Sequence, residues 1–326
     1  MSLKNLVDRR SLLAGGAALS VATAFPAAAE ALPDRFTRFP IWPAQAPGGE
    51  GVTVTQIETL RSPGGEPWNT DVSHIATPSL TMIRPARPNG GALLIIPGGG
   101  YSRIAIGHEG YPTAKHFAAA GYCCFILLYR MPADGWAAGP DAPLQDAQRA
   151  VRVIRSRATS DGFDPARIGV IGFSAGGHLA ARLSSEPIAT YRFSDDIDTQ
   201  PLTLMAAALL YPVILTDGPA AHLRSRNELL GATPTPDRIA AFAGNAKVAA
   251  TTPPTFLAHA LDDRGVPVDN SLAMLASLRG ARVRSEAHFF ERGGHGFGVT
   301  LPADGPIPWP DLFTRWARKH ALAPRT

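Results

Sequence analysis

The residues with the clearest chemical potential lie around Ser174, in the segment Gly172–Gly176, which reads GFSAG. This G-x-S-x-G spacing follows an apolar run that ends at Ile171 and precedes the helix-like stretch Leu179–Leu183. A serine becomes an exposed nucleophile on a sharp strand-to-helix turn, which leaves no room for a bulky Cβ two residues before or after it. The motif therefore predicts a nucleophilic serine for acyl transfer. An ordinary serine in a glycine-rich turn is the alternative, and the strand and helix context argues against it.

A serine on such a turn needs a framework of alternating strands and helices. Short apolar runs have the length of buried strands, and helix-length segments separate them. In Leu144–Arg157 apolar residues recur every three or four positions, which predicts an amphipathic helix with Asp141 as its cap. This alternation predicts an α/β fold, with a mostly parallel central sheet and helices on both faces. The predicted strands are Ala92–Ile96, Cys123–Leu128, Ile168–Ile171, Met205–Leu210 and Phe256–Ala260, and the alternation continues through Asn270–Arg279, Arg282–Phe290 and Trp309–His320.

Composition excludes several function classes. Of the 326 residues, 45% are hydrophobic and 18% are charged, which supplies a core and argues against disorder. A net charge of +4 is too small to indicate a nucleic-acid partner. The sequence has neither an H-E-x-x-H motif nor paired C-x-x-C motifs, so we expect no metal and no other cofactor. Cys123 and Cys124 are adjacent in an apolar run, which predicts two buried thiols on opposite faces of a strand.

Four blocks in order resemble the α/β-hydrolase superfamily and, within it, the secreted esterases related to acetyl xylan and feruloyl esterases. The resemblance covers roughly residues 80–300 and implies that family's fold, a Ser-His-Asp triad and ester hydrolysis. A small-molecule or oligosaccharide ester is the implied substrate. The blocks are Ile96–Tyr101, Pro143–Ala147, Gly172–His178, and Phe256–Ser271 together with Gly293–Gly298.

In the fold that this resemblance implies, the triad acid lies between the serine and a later histidine. Asp263 is the expected acid, because it follows the run Phe256–Leu261 and opens a segment that looks like the family's acid loop. Its neighbour Asp262 is the competing candidate. Asp269 is interpreted more simply as a helix cap.

His295 is the expected base, because it lies in the glycine-rich segment Gly293–Gly298, which permits close approach to the serine. His288 lies in an alternating strand-like run and His320 in the terminal helix. His178 is interpreted as a packing residue that supports the serine turn, and His259 as a strand histidine below the acid.

The resemblance also implies an oxyanion hole after the first motif strand. Pro97–Tyr101 stands where related esterases carry His-Gly-Gly-Gly, so we expect backbone N–H groups of Gly99 and Gly100 to bind the oxyanion. Gly98 is the next candidate for a donor. The N–H of Ala175 is expected to join them. This chain has Pro97 in place of the motif's histidine, so the role of that histidine must be filled differently. Glu109 follows closely, and either borders the pocket or has a capping or surface role.

Residues 1–31 have the layout of an export signal, because Lys4 and the pair Arg9-Arg10 precede the apolar run Leu12–Phe25. The segment resembles a twin-arginine signal, whose cargo crosses the membrane already folded. We expect cleavage after Ala29 or Ala31, a periplasmic or secreted mature chain without stable membrane insertion, and the twin-arginine export machinery as partner of the precursor. The alternative is an uncleaved anchor, although a run so short and rich in Ala and Gly spans a bilayer poorly.

The rest of the chain divides into two predicted parts. Residues 32–50 are rich in Pro, Gly and Ala and are interpreted as a linker or surface arm. Residues 51–326 are expected to form the α/β-hydrolase catalytic domain. The predicted function is that of a secreted serine esterase that acts through an acyl-enzyme on acyl esters, above all acetyl esters, of plant polysaccharide or oligosaccharide. The alternatives are a general carboxylesterase or lipase-like hydrolase and a peptidase related to prolyl oligopeptidases.

Overall fold

The central sheet follows from runs of apolar residues that are long enough for strands and too short for helices. A computed structural model describes residues 36–299 and 307–322. Within them one sheet is formed by the strands β1 Phe36–Pro40, β4 Ser79–Ile83, β5 Ala92–Ile96, β6 Cys123–Leu128, β7 Ile168–Phe173, β8 Ala206–Leu210, β9 Thr255–Ala260 and β10 Ser285–Phe290. Their order across the sheet is β1-β4-β6-β5-β7-β8-β9-β10. Strands β5 to β10 run parallel to one another, whereas β4 is antiparallel to both of its neighbours, β1 and β6.

Two further strands, β2 Ile57–Leu60 and β3 Thr70–Ser73, form a separate antiparallel pair. The second of them reaches the main body of the fold through an isolated bridge between Val72 and Ile104. The pair therefore lies beside the segment that follows β5.

Helices cover the sheet on both faces, because every residue of β5 to β9 is buried, and the side chains of a strand alternate between its two faces. The described helices are α1 Tyr111–Ala119, α2 Ala142–Ser156, α3 Ala158–Asp161, α4 Ser174–Ser185, α5 Leu223–Leu230, α6 Pro236–Ala241, α7 Asp269–Gly280 and α8 Trp309–Lys319. The fold class predicted from the sequence is confirmed.

The five apolar runs predicted as strands coincide with β5 to β9, and the segment Arg282–Phe290 contains β10. The helix predicted over Leu144–Arg157 is α2. Asp141 occupies its N-cap position, but its side chain makes no capping hydrogen bond. Asp141 Oδ1 instead accepts a hydrogen bond of 3.0 Å from the guanidinium of Arg182.

The prediction of a linker or surface arm over residues 32–50 is wrong for the part from Phe36 to Trp42. Phe36–Pro40 is the edge strand β1, paired with β4. Ile41 and Trp42 are buried, and the Trp42 indole N–H donates to Asp146 of α2 over 2.8 Å. Because this segment completes the sheet and fills the core, the domain begins before residue 51.

Residues 1–31, interpreted as an export signal, lie outside the described residues. None of the helices in the described part of the chain combines the length and the apolar character that a membrane span requires. Cys123 and Cys124 are both buried free thiols on β6.

Candidate active site

Ser174 lies where β7 ends and α4 begins, at the carboxyl edge of the sheet. Its φ of +50° is in the left-handed region that a residue with a side chain seldom occupies. A Cβ on Gly172 would collide with the carbonyl of Gly176, and a Cβ on Gly176 would collide with the carbonyls of Ile96 and Pro97. The two glycines of the motif are therefore required by close backbone contacts, as the sequence pattern predicts.

The structure brings Ser174, His295 and Asp263 into one hydrogen-bonded chain. Ser174 Oγ lies 2.9 Å from His295 Nε2, and His295 Nδ1 lies 2.8 Å from Asp263 Oδ2. A carboxylate only accepts, so Nδ1 carries a proton and Nε2 is left to accept the serine proton. The three residues come from different elements, since Ser174 follows β7, Asp263 follows β9 and His295 follows β10.

Both carboxylate oxygens of Asp263 accept hydrogen bonds from the protein. Its Oδ1 accepts from the N–H groups of Gly265 and Val266 over 2.9 and 2.8 Å, and its Oδ2 also lies 3.2 Å from His259 Nε2. Burial alone would raise the pKa of Asp263, but the hydrogen bonds from His259, His295 and Val266 outweigh it and hold the pKa well below its ordinary value.

Asp262, the competing acid candidate, faces elsewhere. Its Oδ1 accepts the N–H of Gly294 over 2.8 Å, so this carboxylate supports the backbone beside His295. The geometry thus separates the two neighbouring carboxylates, because adjacent residues leaving a strand project to different sides.

His178 and His259 have the structural surroundings predicted for them. His178 is buried on α4, where its Nε2 lies 2.7 Å from the carbonyl of Phe242 and its Nδ1 2.7 Å from the hydroxyl of Tyr101. Burial lowers the pKa of His178 to about 4. His259 lies on β9 beneath Asp263.

The segment Gly98–Tyr101, here called the oxyanion loop, follows β5 and lies next to Ser174. Gly99 and Gly100 have φ angles of +131° and +69°, and neither N–H donates to a residue within the described ranges. Ala175 lies in the first turn of α4, where backbone N–H groups have no partner within the helix. These three N–H groups are free to bind an anion beside Ser174.

Gly98 differs from its two neighbours. Its N–H donates to Glu109 Oε2 over 2.5 Å, so the expectation that Gly98 serves as a further donor to the oxyanion is wrong. A Cβ on Gly98 would lie 2.7 Å from the carbonyl of Phe173 and 2.8 Å from Ser174 Cβ, which explains why a glycine is needed here.

Sequence reasoning left open whether Glu109 borders the pocket, and it did not single out Tyr211. Glu109 is buried behind the oxyanion loop, where its Oε1 accepts from the Tyr211 hydroxyl over 2.9 Å. Tyr211 follows β8 with a φ of +35°, and its ring packs edge-on against His295 with 5.1 Å between ring centroids. Glu109 was visible in the sequence only as an acidic residue close to three glycines, and nothing near Tyr211 marked it.

The segment Gly293–Gly298, here called the base loop, is anchored along its length. His108 Nε2 donates to the carbonyl of Gly296 over 2.6 Å, and the Trp309 indole N–H donates to the carbonyl of Gly298 over 2.6 Å. These contacts hold the loop that carries His295 against α8 and the segment before α1.

Within residues 36–299 and 307–322, no group of three or more His, Cys, Asp or Glu side chains could hold a metal ion. The arrangement consists of a hydroxyl, a base that can take its proton, a carboxylate that orients the base, and backbone N–H groups in the neighbouring segments that donate to no residue within the described ranges. Such a set can carry out acyl transfer.

The fold and this arrangement define an α/β hydrolase. The BD-FAE family matches residues 84–278, and the chain belongs to that family. The chain is similar to a solved acetyl ester-xyloside bifunctional hydrolase from Caldicellulosiruptor lactoaceticus, with a TM-score of 0.70, 30% identity, and coverage of 88% of this chain and 97% of that one.

Two curated relatives extend the comparison. The acetylxylan esterase of Xylanibacter ruminicola is 29% identical over 244 residues, which are 74% of this chain and 48% of that protein. Endo-1,4-beta-xylanase B of Butyrivibrio fibrisolvens is 34% identical over 213 residues, which are 64% of this chain and 32% of that protein. The chain therefore spans about half and about a third of the length of these two relatives.

Proposed function

We propose that this protein is a serine esterase that hydrolyses acyl esters through a Ser174-His295-Asp263 triad and a covalent acyl-enzyme. The observation that carries the proposal is the continuous chain of hydrogen bonds from Ser174 Oγ through His295 to Asp263, with lengths of 2.9 and 2.8 Å. Free N–H groups of Gly99, Gly100 and Ala175 lie beside its nucleophilic end.

In the first half of the reaction, Ser174 Oγ attacks the ester carbonyl while its proton passes to His295 Nε2. The carbonyl oxygen becomes an oxyanion, which accepts hydrogen bonds from the free N–H groups of the oxyanion loop and Ala175. When this intermediate collapses, the bond to the alcohol oxygen breaks, and His295 returns the proton to that oxygen.

In the second half, water takes the place of the serine hydroxyl as nucleophile. His295 accepts a proton from the water as it attacks the acyl carbonyl, and then gives the proton to Ser174 Oγ as the acid leaves. Asp263 keeps the same imidazole nitrogen available in both halves, and it stabilises the imidazolium that forms each time.

The proposed substrate is an acetyl ester of plant polysaccharide or oligosaccharide. The names of the acetyl ester-xyloside hydrolase and the acetylxylan esterase, which this chain resembles, support that choice. A general carboxylesterase is the second candidate, favoured by 27% identity over 270 residues to the probable carboxylic ester hydrolase LipM of Mycobacterium tuberculosis.

The proposed location is the periplasm or the exterior of the cell, reached by the twin-arginine route. The support is the order of Lys4, Arg9-Arg10 and the apolar run Leu12–Phe25 at the N-terminus. A polymeric plant substrate is itself outside the cell, so the location and the substrate agree.

The testing experiment is a substrate panel on purified mature protein. It compares acetylated xylo-oligosaccharides, feruloylated sugars and aryl esters of increasing acyl length, with Ser174→Ala as the inactive variant. Ser185→Ala is the matched control, because Ser185 lies on the same helix and its hydroxyl donates to the carbonyl of Ala181 within that helix. We expect the highest kcat/KM on acetylated sugars, no dependence on added metal, and loss of activity only in Ser174→Ala.

Two results would contradict the mechanism. One is near-normal turnover in Ser174→Ala, and the other is activity that disappears after exhaustive chelation and returns with one divalent ion. Equal kcat/KM on aryl and sugar acetates would instead favour the general carboxylesterase.

A further inference from the structure

We propose that Glu109 and Tyr211 are positioning residues that lock the oxyanion loop to the base loop, so that one buried carboxylate sets the geometry of both. The inference rests on the proposed function, since it concerns how the ester-hydrolysing site is held in shape.

The link is a continuous path of hydrogen bonds. Gly98 N–H donates to Glu109 Oε2 over 2.5 Å, the Tyr211 hydroxyl donates to Glu109 Oε1 over 2.9 Å, and Gly298 N–H donates to the Tyr211 oxygen over 3.1 Å. Each group on the path has its partner, so neither the carboxylate nor the hydroxyl is free to rotate. The path joins the loop after β5 to the loop after β10.

At the oxyanion loop, Glu109 holds one end of a rigid unit. The peptide between Pro97 and Gly98 is planar, so its carbonyl and N–H point in opposite directions. The Tyr129 hydroxyl donates to the Pro97 carbonyl over 3.0 Å, and Glu109 accepts the Gly98 N–H. Both ends of this peptide are therefore fixed.

The orientation of the next peptide, between Gly98 and Gly99, depends on that of the first. Ala105 N–H donates to the carbonyl of Gly98 over 2.9 Å, which fixes the plane that also contains the N–H of Gly99. That N–H is one of the proposed oxyanion donors. Glu109 thus acts on the donor indirectly, through the orientation of the backbone that precedes it.

At the base loop, Tyr211 has two contacts with different functions. Its oxygen accepts the N–H of Gly298, and its ring packs edge-on against His295 and Phe297 at centroid distances of 5.1 and 4.5 Å. The hydroxyl is thus the part that connects to Glu109, whereas the ring is the part that supports the imidazole.

Burial makes the path sensitive to small changes. Glu109 is 4% exposed and Tyr211 is fully buried, so a group that loses its partner cannot turn to water instead. Gly98 and Tyr211 donate to different oxygens of Glu109, and glutamine at position 109 replaces one of these oxygens by an NH₂ group that cannot accept. Phenylalanine at position 211 keeps the ring and removes only the hydroxyl.

The experiment compares Glu109→Gln, Tyr211→Phe and the double variant with the wild-type chain. The readouts are kcat and KM on an acetyl ester and the affinity for an alkyl trifluoromethyl ketone. The serine hydroxyl adds to the carbonyl of this ketone, and the carbonyl oxygen becomes an oxyanion. We expect each single variant to lower kcat by about 10- to 100-fold with KM within about threefold, because the loss is a misplaced oxyanion donor. Affinity for the ketone should fall in parallel with kcat.

The double variant tests whether the two residues act on one path. Because both substitutions cut the same chain of hydrogen bonds, the double variant should lose no more than the more damaged single variant. Tyr122→Phe is the matched control. Tyr122 directly precedes β6, so it lies at the amino end of the parallel strands, whereas Ser174 lies at their carboxyl end. Its hydroxyl is buried and has no hydrogen-bond partner among the described residues. It should keep kcat and ketone affinity unchanged.

Three outcomes would overturn the proposal: unchanged kcat in folded Glu109→Gln and Tyr211→Phe, a fall in kcat with undiminished ketone affinity, or multiplicative losses in the double variant. Tyr211→Phe keeps the proposal testable if Glu109→Gln does not fold. A wild-type chain that hydrolyses no ester would instead show failure of the proposed function, so the two failures are distinct.

Discussion

His259 Nε2 lies 3.2 Å from Asp263 Oδ2, the same oxygen that accepts a hydrogen bond from His295. The Nε2 atom also lies 2.9 Å from the carbonyl of Val266, which can only accept, so Nε2 carries a proton. Ser271 Oγ lies 2.8 Å from Nδ1 and donates to it. His259 therefore holds the carboxylate from beneath and leaves His295 to approach it from the site.

This support leads to a first prediction, for Asp263→Asn. Replacing the carboxylate by an amide keeps its shape but removes the acceptor that fixes the imidazole tautomer of His295. We expect kcat to fall by roughly 10⁴-fold, the scale that follows neutralisation of a triad acid. Steady-state kinetics on an acetyl ester, with circular dichroism to confirm folding, measure the effect.

Asp262→Asn is the control for that prediction. An asparagine oxygen still accepts the N–H of Gly294, so kcat should stay within a few-fold of the wild-type value. If Asp262→Asn were the inactive variant, the assignment of the acid would be off by one residue, and if both variants stayed active, the acid would lie on another strand.

The parallel part of the sheet could be predicted because both its faces are buried. In β5 and β6 every side chain must be apolar or small, and a short continuous apolar run results. Strands β1 and β2 could not be predicted in the same way, since β2 is exposed throughout and β1 lies at an edge. The segment around β1 is also rich in Pro, Gly and Ala, and this composition predicted a linker instead of a strand.

Some residues of the site could likewise be predicted from the local sequence, and others could not. Ser174 and His295 carry local signatures, because close backbone contacts around Ser174 and positive φ angles on both sides of His295 favour glycines within a few residues in the chain. Glu109 and Tyr211 have no such signature, since they meet across 102 residues of sequence. Their pairing depends on how β5 and β8 are placed in the sheet, which no local pattern encodes.

A second prediction concerns the two thiols. Burial raises the pKa of Cys123 to about 12 and that of Cys124 well above its ordinary value, so little thiolate forms at neutral pH. Titration with an aromatic disulfide reagent should detect no fast-reacting thiol in the native protein and two per chain in denaturant. Rapid reaction in the native state, or no reaction in denaturant without reductant, would contradict this.

A third prediction concerns export. Replacing Arg9 and Arg10 together by Lys should leave the folded precursor in the cytoplasm, because the proposed route reads the arginine pair. Cell fractionation and N-terminal sequencing are the measurements, and the mature wild-type chain should begin after Ala29 or Ala31. Lys4→Arg keeps the charge and the pair, so it should be exported normally. Normal export of the Arg9 and Arg10 variant would exclude this route.

The last prediction follows from His178, whose two ring nitrogens have opposite roles. Nε2 faces the carbonyl of Phe242 and must donate, so Nδ1 accepts from the Tyr101 hydroxyl. A second proton, on Nδ1, would give the buried ring a positive charge near Arg182. It would also point at the proton of the Tyr101 hydroxyl, so this hydrogen bond would be lost. Burial, with Arg182 as the lesser cause, therefore lowers the pKa of His178 to about 4.

The sign of the effect on stability follows from comparing the two states. Below about pH 6.5 the unfolded chain protonates this histidine and the folded chain does not, so the free energy of unfolding falls with decreasing pH until about pH 4. The slope that one such group contributes is at most about 1.4 kcal/mol per pH unit. Urea unfolding of the wild-type chain and His178→Gln from pH 7.5 to 4.5 measures it.

We expect His178→Gln to be less stable at pH 7.5 but to lose less stability on acidification, so the gap between the two proteins narrows. Ser185→Ala is the control, because Ser185 lies on the same helix as His178 and its hydroxyl does not titrate in this range, so the variant should follow the wild-type slope. If wild type and His178→Gln lost stability in parallel over this range, the histidine would not be the group that protonates on unfolding, and the low pKa that its burial implies would be wrong.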